Sequence, residues 1–203
     1  MAERPLEDAM TRYAAGDDGA LGTVYDLLAP QLFVFLRRTC RDATLAEDLC
    51  HETFLRIVRA RALYKPGADV VPWAYSIGRR LFLDSLRSQR RVVASLDDLG
   101  SGGERRSDPG IPHPDAPADE QVSAHRLAER IEEVLADIPE TQATAFRLLK
   151  QEGLAVSEAA QILGTTETSV KLRAHRAYEA LRAALGTSWE IPERRAGKRA
   201  EVS

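Results

Sequence analysis

An all-α chain of two small helical domains is the fold this sequence predicts, on three observations. Apolar residues recur at helical spacing in one stretch after another, no run of alternating β-branched residues marks a strand, and an acidic, proline-rich piece divides the chain. At 203 residues the chain has room for two such domains, and its residue usage, dominated by Ala, Leu, Arg and Glu with 6% aromatics, is that of helices. The net charge of −3 argues against a protein that coats nucleic acid indiscriminately, which would need a broad basic surface. Charge is instead unevenly spread: Arg79, Arg80, Arg87, Arg90 and Arg91 crowd one segment, and Asp97, Asp98, Glu104, Asp108, Asp115, Asp119 and Glu120 the next. Such asymmetry points to different partners for different parts.

The first helix is expected from Pro5 to Ala15, stopped by Gly16, which takes a left-handed cap at little cost. A second runs from near Asp18 to Cys40 with Leu27, Leu28, Leu32, Phe35 and Leu36 as its buried stripe. Pro30 inside it predicts a kink or break. Thr44 with Glu47 three residues on reads as a capping box opening a third helix through Leu45, Leu49, Phe54, Ile57 and Val58 to about Leu63. Residues 64–69 form a loop, and Pro72 falls in the first turn of a fourth helix.

That fourth helix has two distinct faces. At about 100° per residue, Ala74, Ile77, Gly78, Leu81, Phe82 and Ser85 share an inward face, while Trp73, Ser76, Arg80, Arg87 and Arg91 align opposite, with Asp84 beside Arg80. Aromatics among cations are how proteins stack unpaired bases while following a backbone. The blander readings are that the arginines complement the helix dipole and that Trp73 and Tyr75 belong to the core.

From 92 to 118 the pattern gives way to glycines, prolines and acids, the signature of a flexible linker. The second domain, 119–186, opens with Val122, Leu127, Ile131, Val134 and Leu135 at helical spacing, then a short helix from Pro139 through Phe146 and Leu149 to Gly153. Ser157 to Ile162, a turn at Gly164 and a last helix capped by Thr165 or Thr166 follow in helix-turn-helix order. Placing Val170, Ala174, Ala177, Leu181 and Leu185 inward projects Thr168, Ser169, Leu172, His175, Arg176 and Glu179 outward, flanked by Lys171 and Arg173. Cations and hydroxyls hold phosphates, arginine takes guanine edges and an apolar tip meets a thymine methyl; the plain alternative is a solvated helix face. The tail, 187–203, reads as unstructured.

Other classes find little support. Cys40, Cys50 and His51 match no common metal spacing, so no metal and no cofactor is expected. His51, His113, His125 and His175 fall in different elements and no phosphate loop or nucleophile elbow appears, so neither an enzyme nor a small-molecule substrate is expected. No stretch reads as a signal peptide or membrane span, and a cytoplasmic location is expected.

Taken in order, the motifs resemble the extracytoplasmic-function sigma factors of bacterial RNA polymerase, over about 8–185. Residues 46–56 (AEDLCHETFLR) look like that family's polymerase-binding helix, residues 72–80 (PWAYSIGRR) like its promoter-melting segment, and residues 163–177 like its second DNA-reading helix. The resemblance implies that 5–91 binds core RNA polymerase and opens promoter DNA, and that 119–186 reads duplex. Asp48, Glu52, Phe54 and Arg56 would then meet the polymerase clamp. Lys65 to Val71 would capture a base flipped from the minus-ten element, with Trp73, Ser76, Arg79, Arg80, Arg87 and Arg91 along the melted strand. Thr168, Ser169, Lys171, Leu172, Arg173, His175 and Arg176 would read the minus-thirty-five element. His51, Arg80 and Leu172 depart from the family's usual glutamine, asparagine and small polar residue, and mark where this chain's own promoter preference lies. The resemblance also implies an anti-sigma factor, often membrane-bound, and makes the acidic linker a candidate occupant of the polymerase channel. The competing reading is a stand-alone helix-turn-helix regulator whose N-terminal domain senses or dimerises.

Overall fold

The computed structural model describes residues 4–96 and 118–186, and every regular element in them is helical. The chain divides into two compact units, Met1–Asp108 and Pro109–Ser203. The expected linker from 97 on, Leu127's preceding neighbour Val122 in its side chain, and the tail from 187 lie outside what is described.

In the first unit, α1 (Pro5–Ala14) has proline at its first position and Glu7 and Asp8 in its first turn, both suited to a helix N-terminus. It buries Leu6, Ala9, Met10 and Tyr13, and the chain then turns through Gly16 at φ +108°. The second helix, α2 (Ala20–Cys40), runs on through Pro30 without a break. Pro30 and Asp26 are both exposed, so water can serve the Asp26 carbonyl that the proline leaves without its helical donor. The buried stripe is Val24, Leu28, Leu32, Phe35 and Leu36; Leu27, expected within it, is turned aside and 40% exposed.

Arg41, in the left-handed region at φ 59°, ends α2, and extended Asp42 immediately caps α3 (Ala43–Arg59) by accepting the Leu45 N–H at 2.9 Å. The expected Thr44 capping box is therefore replaced by an aspartate two residues earlier, at least as good a cap as threonine. The helix stops at Arg59, with a separate 3-10 turn at Arg61–Leu63, and Val58 is exposed.

The last helix of this unit, α4 (Val70–Leu96), buries Val70, Ala74, Tyr75, Leu81 and Phe82. Tyr75 lies in the core, its ring stacked on Phe35 at 4.4 Å and its hydroxyl donating to the Gln31 carbonyl at 3.0 Å. Gly78 is where the helices come closest: a Cβ there would stand 3.2 Å from both Leu36 Cδ2 and Thr53 Oγ1. The helix continues past Arg91, where the linker was expected to begin, because no glycine or proline follows Gly78 until Gly100.

The second unit is built from α5 (Ala118–Asp137), α6 (Glu140–Phe146), α7 (Val156–Leu163) and α8 (Glu167–Leu185). Leu135, Ala143, Phe146, Ala177 and Leu181 form its core, with Ile131, Val134, Ile138, Tyr178 and Leu185 packed around them. Leu127, expected on the inward stripe of α5, is 37% exposed. A π-helical turn, Arg147–Gln151, continues α6 and aims two polar side chains at α5. Arg147, only 4% exposed, pairs with Glu132 Oε2 at 2.7 Å, and Gln151 Nε2 donates to Glu132 Oε1 at 2.9 Å. Gly153 at φ 69° and Gly164 at φ 59° take the left-handed turns that follow the π-helical turn and α7.

Candidate polymerase and nucleic-acid interfaces

The outer face of α3 displays Glu47, Asp48, His51 and the partly apolar Leu55 and Val58, each 38% exposed. Glu52 and Arg56, one helical turn apart, are tied by a 3.1 Å ion pair. Phe54 is not on this face. It is buried, and Tyr25 from α2, 53% exposed, lies across it with ring centroids 4.8 Å apart. The exposed ring here thus comes from a different helix, and the sequence pattern had not marked Tyr25. Its i−3 and i+3 neighbours on α2, Gly22 and Leu28, differ so much in burial that periodicity alone left it ambiguous.

Residues 64–69 form a defined loop. The Ala68 N–H donates to the Lys65 carbonyl at 3.0 Å with Pro66 and Gly67 between them and Gly67 at φ 80°, the pattern of a type II turn. Tyr64 is buried beneath it, and its hydroxyl donates to the Ala68 carbonyl at 2.6 Å. Burial raises the Tyr64 phenol above its usual range, keeping it protonated and able to donate. Lys65 to Asp69 are exposed.

On α4 the basic stripe is arranged much as its spacing predicted. Trp73 is half-buried, its ring tilted against Tyr64 at 5.7 Å, so it serves the loop's floor as well as the surface. Ser76 donates to the Trp73 carbonyl at 2.7 Å; Arg79 is half-buried; Arg80, Arg87 and Arg91 are exposed. Asp84 pairs with Arg87, one helical turn on, at 3.0 Å rather than with Arg80, although both spacings bring side chains together on a helix. At 1.5 Å per residue the stripe from Trp73 to Arg91 is about 27 Å long, enough for several nucleotides.

In the second unit, Thr166 settles the cap of α8 by accepting the Ser169 N–H at 3.2 Å. Before it, Glu158 takes the Ala155 N–H at 2.6 Å at the start of α7. Val170, Ala177 and Leu181 are buried, and Ala174 and Leu185 half-buried. That leaves Thr168, Lys171, Leu172, His175, Arg176 and Glu179 exposed, with Ser169 and Arg173 half-buried at the edges. Leu172, 49% exposed, is the one large apolar side chain among them. Neither Cys40 nor Cys50 is in a disulfide, and burial raises the Cys50 thiol. Among the described residues no His, Cys, Asp and Glu side chains gather as a metal site, and no helix is long and apolar enough to cross a membrane.

One helical unit thus carries a basic and aromatic face and the other a helix-turn-helix. The Sigma-70 region 2 profile matches residues 24–92 and the Sigma-70, region 4 profile residues 128–181. The chain is 35% identical over 178 residues to RNA polymerase sigma factor CarQ of Myxococcus xanthus, covering 87% of this chain and 95% of that protein. It is 31% identical over 163 residues to the ECF RNA polymerase sigma factor EcfG of Rhodopseudomonas palustris, covering 79% of this chain and 83% of that one. Its fold matches the sigma factor RpoE solved with the anti-sigma factor NepR from Bartonella quintana (TM-score 0.66, 22% identity, 81% of this chain and 95% of that). It also matches CnrH solved with the cytosolic domain of CnrY (TM-score 0.65, 20% identity, 92% of this chain and 100% of that). The chain belongs to the extracytoplasmic-function sigma factor family and acts in transcription initiation. The region 2 match does not favour the stand-alone regulator reading, whose N-terminal domain would sense or dimerise.

Proposed function

We propose that the first unit docks on core RNA polymerase through the α3 face and holds an opened minus-ten strand, while α8 reads the minus-thirty-five element as duplex. Asp48, Glu52 and Arg56 make the docking face, with Phe54 buried and the exposed Tyr25 ring lying across it. The loop from Lys65 and the stripe of Trp73, Ser76, Arg79, Arg80, Arg87 and Arg91 take the strand. Extracting a base from the stack costs a few kcal/mol, and a half-buried tryptophan beside exposed arginines supplies stacking and charge to offset it. Thr168, Ser169, Lys171, Leu172, Arg173, His175 and Arg176 meet the duplex, the cations on phosphates and Arg176 on a base edge.

The observation that carries this reading is that the region 2 and region 4 matches fall separately on the two units holding these faces. An anti-sigma factor is the proposed regulatory partner, since a solved sigma factor of this fold, RpoE, is in complex with one. The cytoplasm, where core polymerase works, is the proposed location. In a purified assay the chain should yield specific transcripts from a promoter selected out of a randomised library only when core polymerase is added. Tight sequence-specific binding without polymerase, and no transcript with it, would refute the proposal.

A further inference from the structure

We infer that Arg4 is a positioning residue for minus-ten strand capture, pinning the 65–69 loop to α1 in its binding shape. The inference rests on the loop's proposed role. The Sigma-70 region 2 match begins at residue 24, so α1 lies ahead of everything that the family match covers. Yet Arg4, the residue just ahead of α1, ties that helix to the loop. The Arg4 guanidinium pairs with Glu7 of α1 at 3.2 Å, with the Asp69 carboxylate, and reaches the Gly67 carbonyl at 3.5 Å. Thr11, one turn beyond Glu7, donates to the Glu7 carbonyl at 2.8 Å, and the Tyr64 phenol holds Ala68.

The loop is therefore held at three successive residues, Gly67 and Asp69 from Arg4 and Ala68 from Tyr64, while Lys65 and Pro66 face solvent. Each fixed residue otherwise retains backbone freedom that a captured base would have to remove on binding. Removing the loop's outer anchor should loosen capture and leave the buried anchor, Tyr64, in place. Glu7 adds a second effect: it keeps the guanidinium oriented across the gap, so a point charge at this position should serve less well than the fork.

The test uses full-length protein assembled with core polymerase on forked promoter DNA whose minus-ten strand is unpaired, with each of the four bases placed at the captured position. Arg4→Ala should lower the preference for the best base about threefold to fivefold, the scale of one exposed ion pair. Arg4→Lys should recover part of it. Affinity for core polymerase, binding of minus-thirty-five duplex and the unfolding midpoint should stay at wild-type values. Unchanged base preference in Arg4→Ala overturns the inference, as does a loss that simply follows a lowered midpoint, which would make Arg4 structural. Lys65→Ala separates the layers: if it too leaves capture unchanged, the loop reading itself fails, whereas if it impairs capture and Arg4→Ala does not, only the role of Arg4 falls.

Discussion

The two surfaces proposed to face DNA are made in opposite ways. In the first unit the aromatic proposed to meet the strand is part of the packing: Trp73 is half-buried on Tyr64, and Tyr64 holds the loop. In the second, the proposed reading face of α8 is almost all exposed, and the unit's support lies elsewhere, in Val170, Ala177 and Leu181 and in the pair of buried Arg147 with half-buried Glu132. The difference follows from the targets. Duplex presents its edges ready-made, so exposed side chains on a rigid rod suffice, whereas an extruded base must be met by a site already shaped to receive it. Substitutions should accordingly couple stability with function in the first unit and separate them in the second.

The largest effect tests what supports α8. Glu132→Ala leaves Arg147 buried without its carboxylate and Gln151 without an acceptor, which should destabilise the second unit by about 3 kcal/mol. Hydrogen exchange should show lost protection in α5 to α8 and none in α1 to α4. Unchanged protection in α6 and α8 would mean the pair is ornamental and the core of apolar residues alone holds the reading helix.

Next comes Gly78→Val, expected to cost the first unit about 2 kcal/mol through overpacking. Its branched side chain must displace Leu36 and Thr53, which already stand 3.2 Å from where the Cβ would sit. Urea unfolding of the variant should show a lowered midpoint, and strand opening should fall with it because α4 carries both the glycine and Trp73. A variant that opens promoters normally at a lowered midpoint would break the proposed coupling of packing with strand handling.

A matched pair sharpens the contrast. Trp73→Ala should lose about 1–3 kcal/mol of binding to unpaired minus-ten strand and also lower stability, since the ring packs on Tyr64. Arg176→Ala should cost about 1–3 kcal/mol of discrimination at one base pair while leaving stability within about 0.5 kcal/mol. Fluorescence anisotropy on the two DNA forms, with thermal unfolding alongside, gives all four values. Equal stability losses would erase the distinction between the surfaces.

How much of this was legible in the sequence divides along the same line. Helix identity, the inward face of α4 and the outward face of α8 follow from periodicity, because an exposed or buried side chain obeys its own helix's geometry. Contacts that cross between elements left no such trace. Arg4 on Asp69, Tyr25 over Phe54 and Arg147 on Glu132 pair residues separated by long stretches of chain, and nothing in the spacing marks them. Phe54 shows the same limit: its place in the α3 motif did not reveal that the ring is buried, because the ring that covers it arrives from α2. Local chemistry also misled where two signals competed. Asp42 prevails over Thr44 as the cap because α2 ends at Cys40 as expected, Arg41 turns left-handed without being glycine, and Asp42 follows at once in extended conformation.

The smallest predicted effect separates charge from recognition on α8. Lys171 is exposed beside Leu172 and on the proposed reading meets the duplex as a cation, so Lys171→Ala should weaken binding by a similar factor on every sequence and reduce the slope of log affinity against log salt by about 1. Leu172→Ala, one residue on, removes no charge and should leave that slope alone while flattening preference at one position, because an apolar side chain contributes through a thymine methyl or not at all. Titrations of the holoenzyme on its selected promoter at several salt concentrations distinguish the two. A changed slope for Leu172→Ala, or an unchanged one for Lys171→Ala, would show that α8 is seated on DNA in a different orientation from the one its buried residues imply.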